Sequence, residues 1–492
     1  MKLLATICLA LATIWLPSAQ AMTLNPHGTG QYLLFPYFTV NRHQQTLIGV
    51  SNATDAAKAL RVRFREAYDG REVLDFNVFL PARATWTSVL FSLDDAGLSG
   101  GGAAIRLDDA FCTVPAFYSA NTLPDGALYQ PFLDYGYVGP NDDTGPTDDT
   151  RMREGYFEIV EMAEVTGATR DAITPVNGRP PGCAAIAAGD VAESDLQPPT
   201  GGLAGSEAIV DASLGTFYTA AATALDGVYN RAVYTPSGTV SPDLRDASVG
   251  ANGFVTAYVP VNGTLLALNY PPAQAVDAAS ALLASSEISI DYDVTPAAGA
   301  QTDWVITFPT KHYYVDPQIP TNGNSSTAPF AERFGSNTPG RSDVDIALGI
   351  FDRSGQSSRP NCITPPPPQP PPPSLPYETQ VVTFASSDEP PLAVSPALAA
   401  AHPLLVWLDD AYRAGTAHLD ISSDGFGSRY AMRPSQEGVS LGGLPAIGFE
   451  AIEYVNANVT PGVLANYSAA TPMHARAPST SGHAVAKSTT CS

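Results

Sequence analysis

The sequence predicts a mainly β protein: an N-terminal immunoglobulin-like antiparallel β-sandwich followed by a larger β-rich region with few short helices. Three observations predict it. Five short runs rich in β-branched and aromatic residues follow one another between Gln31 and Leu93. Turn residues separate them, and two of the runs alternate with the two-residue period of a half-buried strand.

In order, the runs are Tyr32–Val40, Thr46–Ser51, Ala59–Glu66, Val73–Leu80 and Thr85–Leu93. In the third, Leu60, Val62 and Phe64 share one face, while Arg61, Arg63 and Arg65 share the other, expected to face solvent. In the fourth, Leu74, Phe76, Val78 and Leu80 form the apolar face. Asp69-Gly70 marks a tight hairpin, because glycine tolerates positive φ. Residues 103–150 read as irregular, and strands resume at Gly155–Val165 and Ala208–Thr219. A hairpin turned by Asn262-Gly263 spans Phe254–Tyr270, and Ala273–Ala284 is the clearest helix. Further strands are expected at Ser289–Val294, Trp304–Phe308, Val344–Phe351, Thr379–Phe384, Ala417–Ile421 and Ile447–Val455, with Trp86 and Trp304 in the core. Thr364–Pro376 lacks amide donors and reads as polyproline II outside any sheet. These signals divide the chain into 1–21, a sandwich at 22–125, a β-rich domain with long loops at 126–363, a proline-rich linker or loop at 364–376, and a C-terminal β-rich region at 377–492. The last belongs either to a separate domain or to the preceding one.

The 492 residues carry 48 acidic against 25 basic side chains, a net charge of −23. Nucleic acid and anionic membranes would repel such a chain, so neither is an expected partner. With 44% hydrophobic and 15% charged residues, it has the balance of a folded protein, not of an acidic disordered tail. The first 21 residues have the three regions of a secretory signal: Lys2, an apolar core from Leu3 to Leu16, and Ala19-Gln20-Ala21 as a cleavage site of small residues. Cleavage after Ala21 predicts a periplasmic, cell-surface or secreted protein beginning at Met22. No later run is long and apolar enough for a spanning helix. Of the five cysteines, Cys8 leaves with the signal. Cys112, Cys183, Cys362 and Cys491 remain for disulfides in an oxidising compartment. Three pairings are open, and Cys112–Cys183 with Cys362–Cys491 is the favoured one.

Motifs for chemistry are sparse, and no catalytic residue and no cofactor is expected. Gly97-Leu98-Ser99-Gly100-Gly101 matches the nucleophile elbow, but three glycines in a row are a poor helix start and a glycine loop explains the match. The histidines are scattered without zinc spacing, His312 reads as packing beside Tyr313 and Tyr314, and no phosphate-binding glycine loop occurs. Paired aspartates are the most suggestive polar feature. Asp142, Asp143, Asp148 and Asp149 form the one calcium candidate, set against a simply solvated acidic loop.

Gln31–Val40 with Thr46–Asn52, then Arg61–Leu80, resemble a family of uncharacterised exported proteins of Gram-negative bacteria. Cys112–Pro115, Gly215–Phe217, Thr302–Asp316, Phe351–Arg353, Gly443–Phe449 and Val463–Tyr467 fit the same resemblance. It implies export and a shared full-length architecture, and it transfers no activity or site. The leading expectation is therefore an exported envelope or extracellular β-sandwich protein with a structural or binding role, its partner an envelope protein or a glycan. The alternatives are an extracellular hydrolase whose carboxylates converge only in the fold, and a calcium- or glycan-binding adhesin module. Export from a Gram-negative host should leave a mature chain that starts at Met22, read by intact mass and N-terminal sequencing. An unprocessed cytoplasmic chain would refute the cleavage after Ala21.

Overall fold

A computed structural model describes residues 21–107, 111–117, 121–319, 327–357, 373–386, 392–423, 429–456, 460, 462–463 and 465–480. The five early runs become strands Tyr32–Thr39, Gln45–Asn52, Ala57–Glu66, Glu72–Leu80 and Thr85–Ser92. They enter two facing sheets. The first has ten strands, with its path running Thr264–Tyr270, Val255–Val261, Met22–Leu24, Thr223–Asp226, Tyr32–Thr39, Glu154–Val165, Ala57–Glu66, Glu72–Leu80 and Cys112–Val114, and Leu196–Gln197 beside Glu154–Val165. The second has seven, from Leu128–Pro131 through Ala103–Leu107, Thr85–Ser92, Gln45–Asn52 and Leu203–Asp211 to Thr216–Ala221, with Thr29–Gly30 attached. The apolar faces meet as periodicity requires: Leu33, Phe35, Leu60, Val62, Phe64 and Phe157 lie against Ile48, Val50, Trp86, Leu90 and Ile105. Phe35 and Phe157 stack at 4.2 Å.

This sandwich is larger than the seven to nine strands of an immunoglobulin domain, and the boundary expected at residue 125 falls inside it. Glu154–Val165 inserts between Tyr32–Thr39 and Ala57–Glu66, so residues 22–125 cannot close the sheet alone. Residues 103–150, expected to be irregular, supply three strands. The run Ala208–Thr219 is split by a turn over residues 212–215, where Asp211 accepts from the Ser213 and Leu214 amides. The Asn262-Gly263 hairpin forms as expected, with both residues at positive φ. At the other hairpin Gly70 has φ 73°, and a Cβ there would collide with the Glu378 carboxyl group. Both backbone and space demand glycine.

Helix Ala275–Leu283, buried on all sides, leads into a second pair of sheets. Four strands (Ala347–Asp352, Ala414–Asp420, Glu287–Asp293, His474–Arg476) face five (Leu404–Leu408, Thr379–Ser386, Ala300–Thr307, Ile447–Tyr454, Tyr467–Pro472). Ile288, Ile290, Tyr292 and Leu419 meet Trp304, Ile306, Val382 and Phe384 in their core, where the Tyr292 and Phe384 rings stack at 5.1 Å. Residues 379–480 thus share sheets with residues 287–352. The end of the proline-rich run also departs from expectation. Ser374 bridges Asp345, and Leu375, fully buried, exchanges backbone bonds with Val344. Ser374 and Leu375 retain the amides that the preceding prolines lack. Thr364–Pro372 lie outside the described residues, as do the signal-like residues 1–20, Cys362 and Cys491. Cys112 and Cys183 are disulfide-bonded. Among the described residues no helix is long and apolar enough to cross a membrane.

The second face of the ten-stranded sheet overturns one expectation. Arg61, Arg63 and Arg65 do not face solvent; they are 0%, 0% and 8% exposed. Strand alternation places them opposite the core as predicted, but the chain returns to cover that face. Arg63 and Arg65 both bond Glu158 at 3.1 Å, and Tyr32 donates to the same carboxylate. Arg61 binds Asp75 and Asn77 (2.7 Å) and the carbonyls of Thr235, Pro236 and Thr239. Arg63 takes those of Thr239, Val240 and Pro242. Burial raises the Glu158 pKa, yet Arg65 and Arg63 outweigh it and hold the carboxyl down to about 2. Glu158→Gln removes the charge that two buried guanidinium groups share. It should cost about 3–5 kcal/mol in urea unfolding, and a loss below about 0.5 kcal/mol would show that these pairs contribute nothing.

Candidate functional site

The calcium candidate is dismantled by a neighbouring arginine. Asp143 is buried and bonded to Arg151, whose Nη1 lies 2.9 Å from Asp143 Oδ1. The same guanidinium binds Glu66 at 2.9 Å and Asp69 at 3.1 Å. Arg71 adds Asp69 and, at 2.8 Å, Asp316. The loop therefore receives its positive charge from the protein. Asp148 is spent on the Thr150 amide at 3.0 Å and Asp142 on the Thr144 amide at 2.8 Å, while Asp149 is half-buried. The four carboxylates do not converge. Among the described residues, no three His, Cys, Asp or Glu side chains are grouped to hold a metal ion.

Three arrangements resemble nucleophile or relay chemistry and fail on geometry. Ser99 is exposed in a turn without a following helix. His418 Nδ1 meets both Ser289 Oγ (2.8 Å) and Glu287 Oε1 (3.1 Å). A relay needs the hydroxyl on one ring nitrogen and the carboxylate on the other, and here both use the same atom. Tyr156, His312 and Glu378 form a close cluster, with Tyr156 Oη and His312 Nδ1 each 2.7 Å from Glu378 Oε1, but all three are sealed from solvent. Burial pushes Glu378 up to about 8 and His312 downward. Tyr156 of the first sandwich thus meets His312 and Glu378 of the second half in a sealed polar cluster.

Another site is open to solvent. Where the second pair of sheets meets, a cleft of about 730 Å³ is bounded by strands Glu287–Asp293, Ala347–Asp352 and Ala414–Asp420 on one side. Ile447–Tyr454 and Tyr467–Pro472 bound it on the other. Its wall joins Asp291, Asp293, Asp352 and Glu450 to the half-buried rings of Phe351 and Tyr454. The four carboxylates differ in how they are held. Asp293 pairs with Arg353 at 3.1 Å. Asp352 closes its own turn, accepting from the Ser354 and Gln356 amides. Asp291 is exposed and accepts from the Thr416 hydroxyl at 3.2 Å. Glu450 is 4% exposed, between Trp304 and Thr471 on the flanking strands. Burial, followed by the Asp291 charge, pushes its pKa up to about 7, against a smaller opposing effect of Thr471.

Neither Glu450 nor Asp291 belongs to a motif. Their signal in the sequence is an acid interleaved in an apolar strand, IGFEAIEY and EISIDYD, whereas the paired aspartates drew attention to loops. Because the folded pKa of Glu450 lies above its ordinary 4.5, its stabilising contribution is full below about pH 4.5 and is lost as pH rises through about 7. Asp291→Asn removes the like charge and should lower the Glu450 pKa, read by carbon NMR titration of labelled glutamate. An unchanged titration would show that the two carboxylates do not sense each other.

No family model matches the chain, and no curated protein or solved structure is significantly similar to it.

Proposed function

We propose that this is an exported envelope or extracellular protein that binds an uncharged glycan in the cleft between its C-terminal sheets. One observation carries the reading: an open cleft of about 730 Å³ sets carboxylates and the Thr416 and Thr471 hydroxyls beside the Phe351 and Tyr454 rings. Carboxylates accept hydrogen bonds from sugar hydroxyls, threonine hydroxyls both accept and donate them, and aromatic rings pack against the apolar faces of pyranose rings. Four acids against Arg353 disfavour an anionic chain, as does the net charge of −23. The signal-like first 21 residues and the Cys112–Cys183 disulfide support an oxidising compartment, where such ligands occur.

Calorimetric titration of the mature protein against neutral and anionic oligosaccharides tests this. Neutral chains should bind and anionic ones should not. Tyr454→Ala and Phe351→Ala should each weaken binding about tenfold, or about 1.4 kcal/mol, with the melting temperature little changed. Binding that survives both substitutions would move the site elsewhere, and no binding of any neutral chain would overturn the reading.

A further inference from the structure

We propose that Lys58 and Glu161 join in a covalent side-chain amide, a cross-link that the folded chain makes for itself between two strands of the first sandwich. It does not depend on what the cleft binds.

The pair sits where charge is most costly. Lys58 lies on Ala57–Glu66, beside Leu80 of the next strand, and Glu161 on Glu154–Val165, opposite Leu60. Both side chains therefore point with Leu60, Leu80 and Ile159 into the space between the sheets, and neither exposes any surface. Glu164 is the register partner of Lys58, yet a bulge between Glu161 and Ala163 lets Glu161 reach the lysine, with Nζ 2.6 Å from Oε1. The buried pairs at Glu158 and Asp143 use arginine, whose guanidinium stays charged and is no nucleophile. Of the chain's four lysines, Lys311 is also buried but bonds the Ser342 and Tyr377 carbonyls.

An amine becomes a nucleophile and a carboxyl group an electrophile when each is neutral, and a site without water favours the neutral pair over the ionic one. Burial pushes the Glu161 pKa up, against a smaller pull from Lys58. The surroundings also fit the product. An amide needs an acceptor for its N–H and a donor for its oxygen. Lys58 Nζ already donates to Thr200 Oγ1 at 3.1 Å, and the Gly201 amide donates to Glu161 Oε2 at 2.8 Å. The Thr200 amide adds a bond to Oε1 at 3.1 Å. Two consecutive amides thus sit where negative charge develops as the nitrogen attacks.

The step balances without a co-reactant. A proton passes from the Lys58 ammonium to Oε1, the freed electron pair on nitrogen attacks Cδ, and the tetrahedral carbon collapses as its bond to Oε1 breaks. Of the three ammonium protons, two leave on Oε1 as water and one stays on the amide nitrogen, while Oε2 becomes the amide oxygen. The bond joins residues 103 positions apart. It lies at the end of the sheet where Cys112, disulfide-bonded to Cys183, packs with Ala57, Ala59 and Met162.

Intact mass of the reduced, denatured mature protein tests the cross-link. Expected is a mass about 18 Da below that of the sequence, one water. The tryptic peptides 43–61 and 154–170 should be recovered as one branched species, uncut after Lys58. Lys58→Arg keeps a cation beside Glu161 and should have its full mass, with no branched peptide. A wild type of full mass that trypsin cuts after Lys58 overturns the proposal and leaves an ordinary buried ion pair. So does a water loss that persists in Lys58→Arg, or one that maps to other residues.

Discussion

Two arginines of one strand, Arg63 and Arg65, close on a single carboxylate, Glu158, in a layer that water barely reaches. Charges taken out of water cost several kcal/mol each, so such a layer survives only if almost every donor and acceptor near it is satisfied. That requirement organises the molecule. It calls the 235–242 loop down onto the sheet, where its carbonyls accept from Arg61 and Arg63. It also sets the hairpin of Glu66, Asp69 and Arg71 against Arg151 from one segment and Asp316 from another. An apolar layer of equal area would tolerate sliding. Paired charges with fixed directions do not, and the Arg71–Asp316 pair carries such a direction from the first sandwich to the second half of the chain.

The cleft inherits that placement through one strand. Along Ile447–Tyr454, Phe449 and Ala451 face the seam with the first sandwich, beside Tyr37, Ile209 and Tyr218. Glu453 on the same side accepts from Tyr218 at 2.5 Å. Glu450 and Ile452 face the cleft. Alternation thus gives a single strand two duties, one face anchored and one face open. The seam is itself rich in acids. Glu154 and Glu453 are both pushed up to about 7 by burial and bonded to tyrosine hydroxyls. A carboxyl group with a pKa near 7 is about half protonated at neutral pH, so both serve as hydrogen-bonding side chains as well as charges.

Periodicity located the strands well because the side-chain alternation of a strand is a local property. Tyr32–Thr39 through Thr85–Ser92, the Asn262-Gly263 turn and the helix at Ala275–Leu283 all follow from a few neighbouring residues. What covers each face is not local. Alternation places the arginine row opposite the core, but what covers it, Glu158 and the 235–242 loop, lies about a hundred residues or more away in sequence. Weakly patterned edge strands such as Leu404–Leu408 and Leu128–Pro131 carry no such local signal, since their partners, not their composition, make them strands. For the site the gap was wider. Glu450 and Asp291 are 159 positions apart in the chain, and only the meeting of two sheets brings them to one cleft. Of the aspartates that stand out in sequence, Asp142 and Asp148 accept from amides of their own turns and Asp143 pairs with Arg151.

The polar character of the joint also bears on how so long a chain reaches its native state. Residues 22–270 contain every strand of the first sandwich, so that unit can assemble before the rest of the chain is in place. Until Lys311–Asp316 and Glu378 arrive, its outer face presents Arg65, Glu66, Asp69 and Tyr156 to water. The same unit also carries apolar side chains that later join the second half, Tyr37, Ile209 and Tyr218 at the seam and Tyr32, Leu34, Val255 and Leu268 in the largest core cluster. Exposed apolar surface of that kind is where a half-built chain is captured by its neighbours. The charged groups interrupt that surface, and the residues from 275 onward must cover the rest.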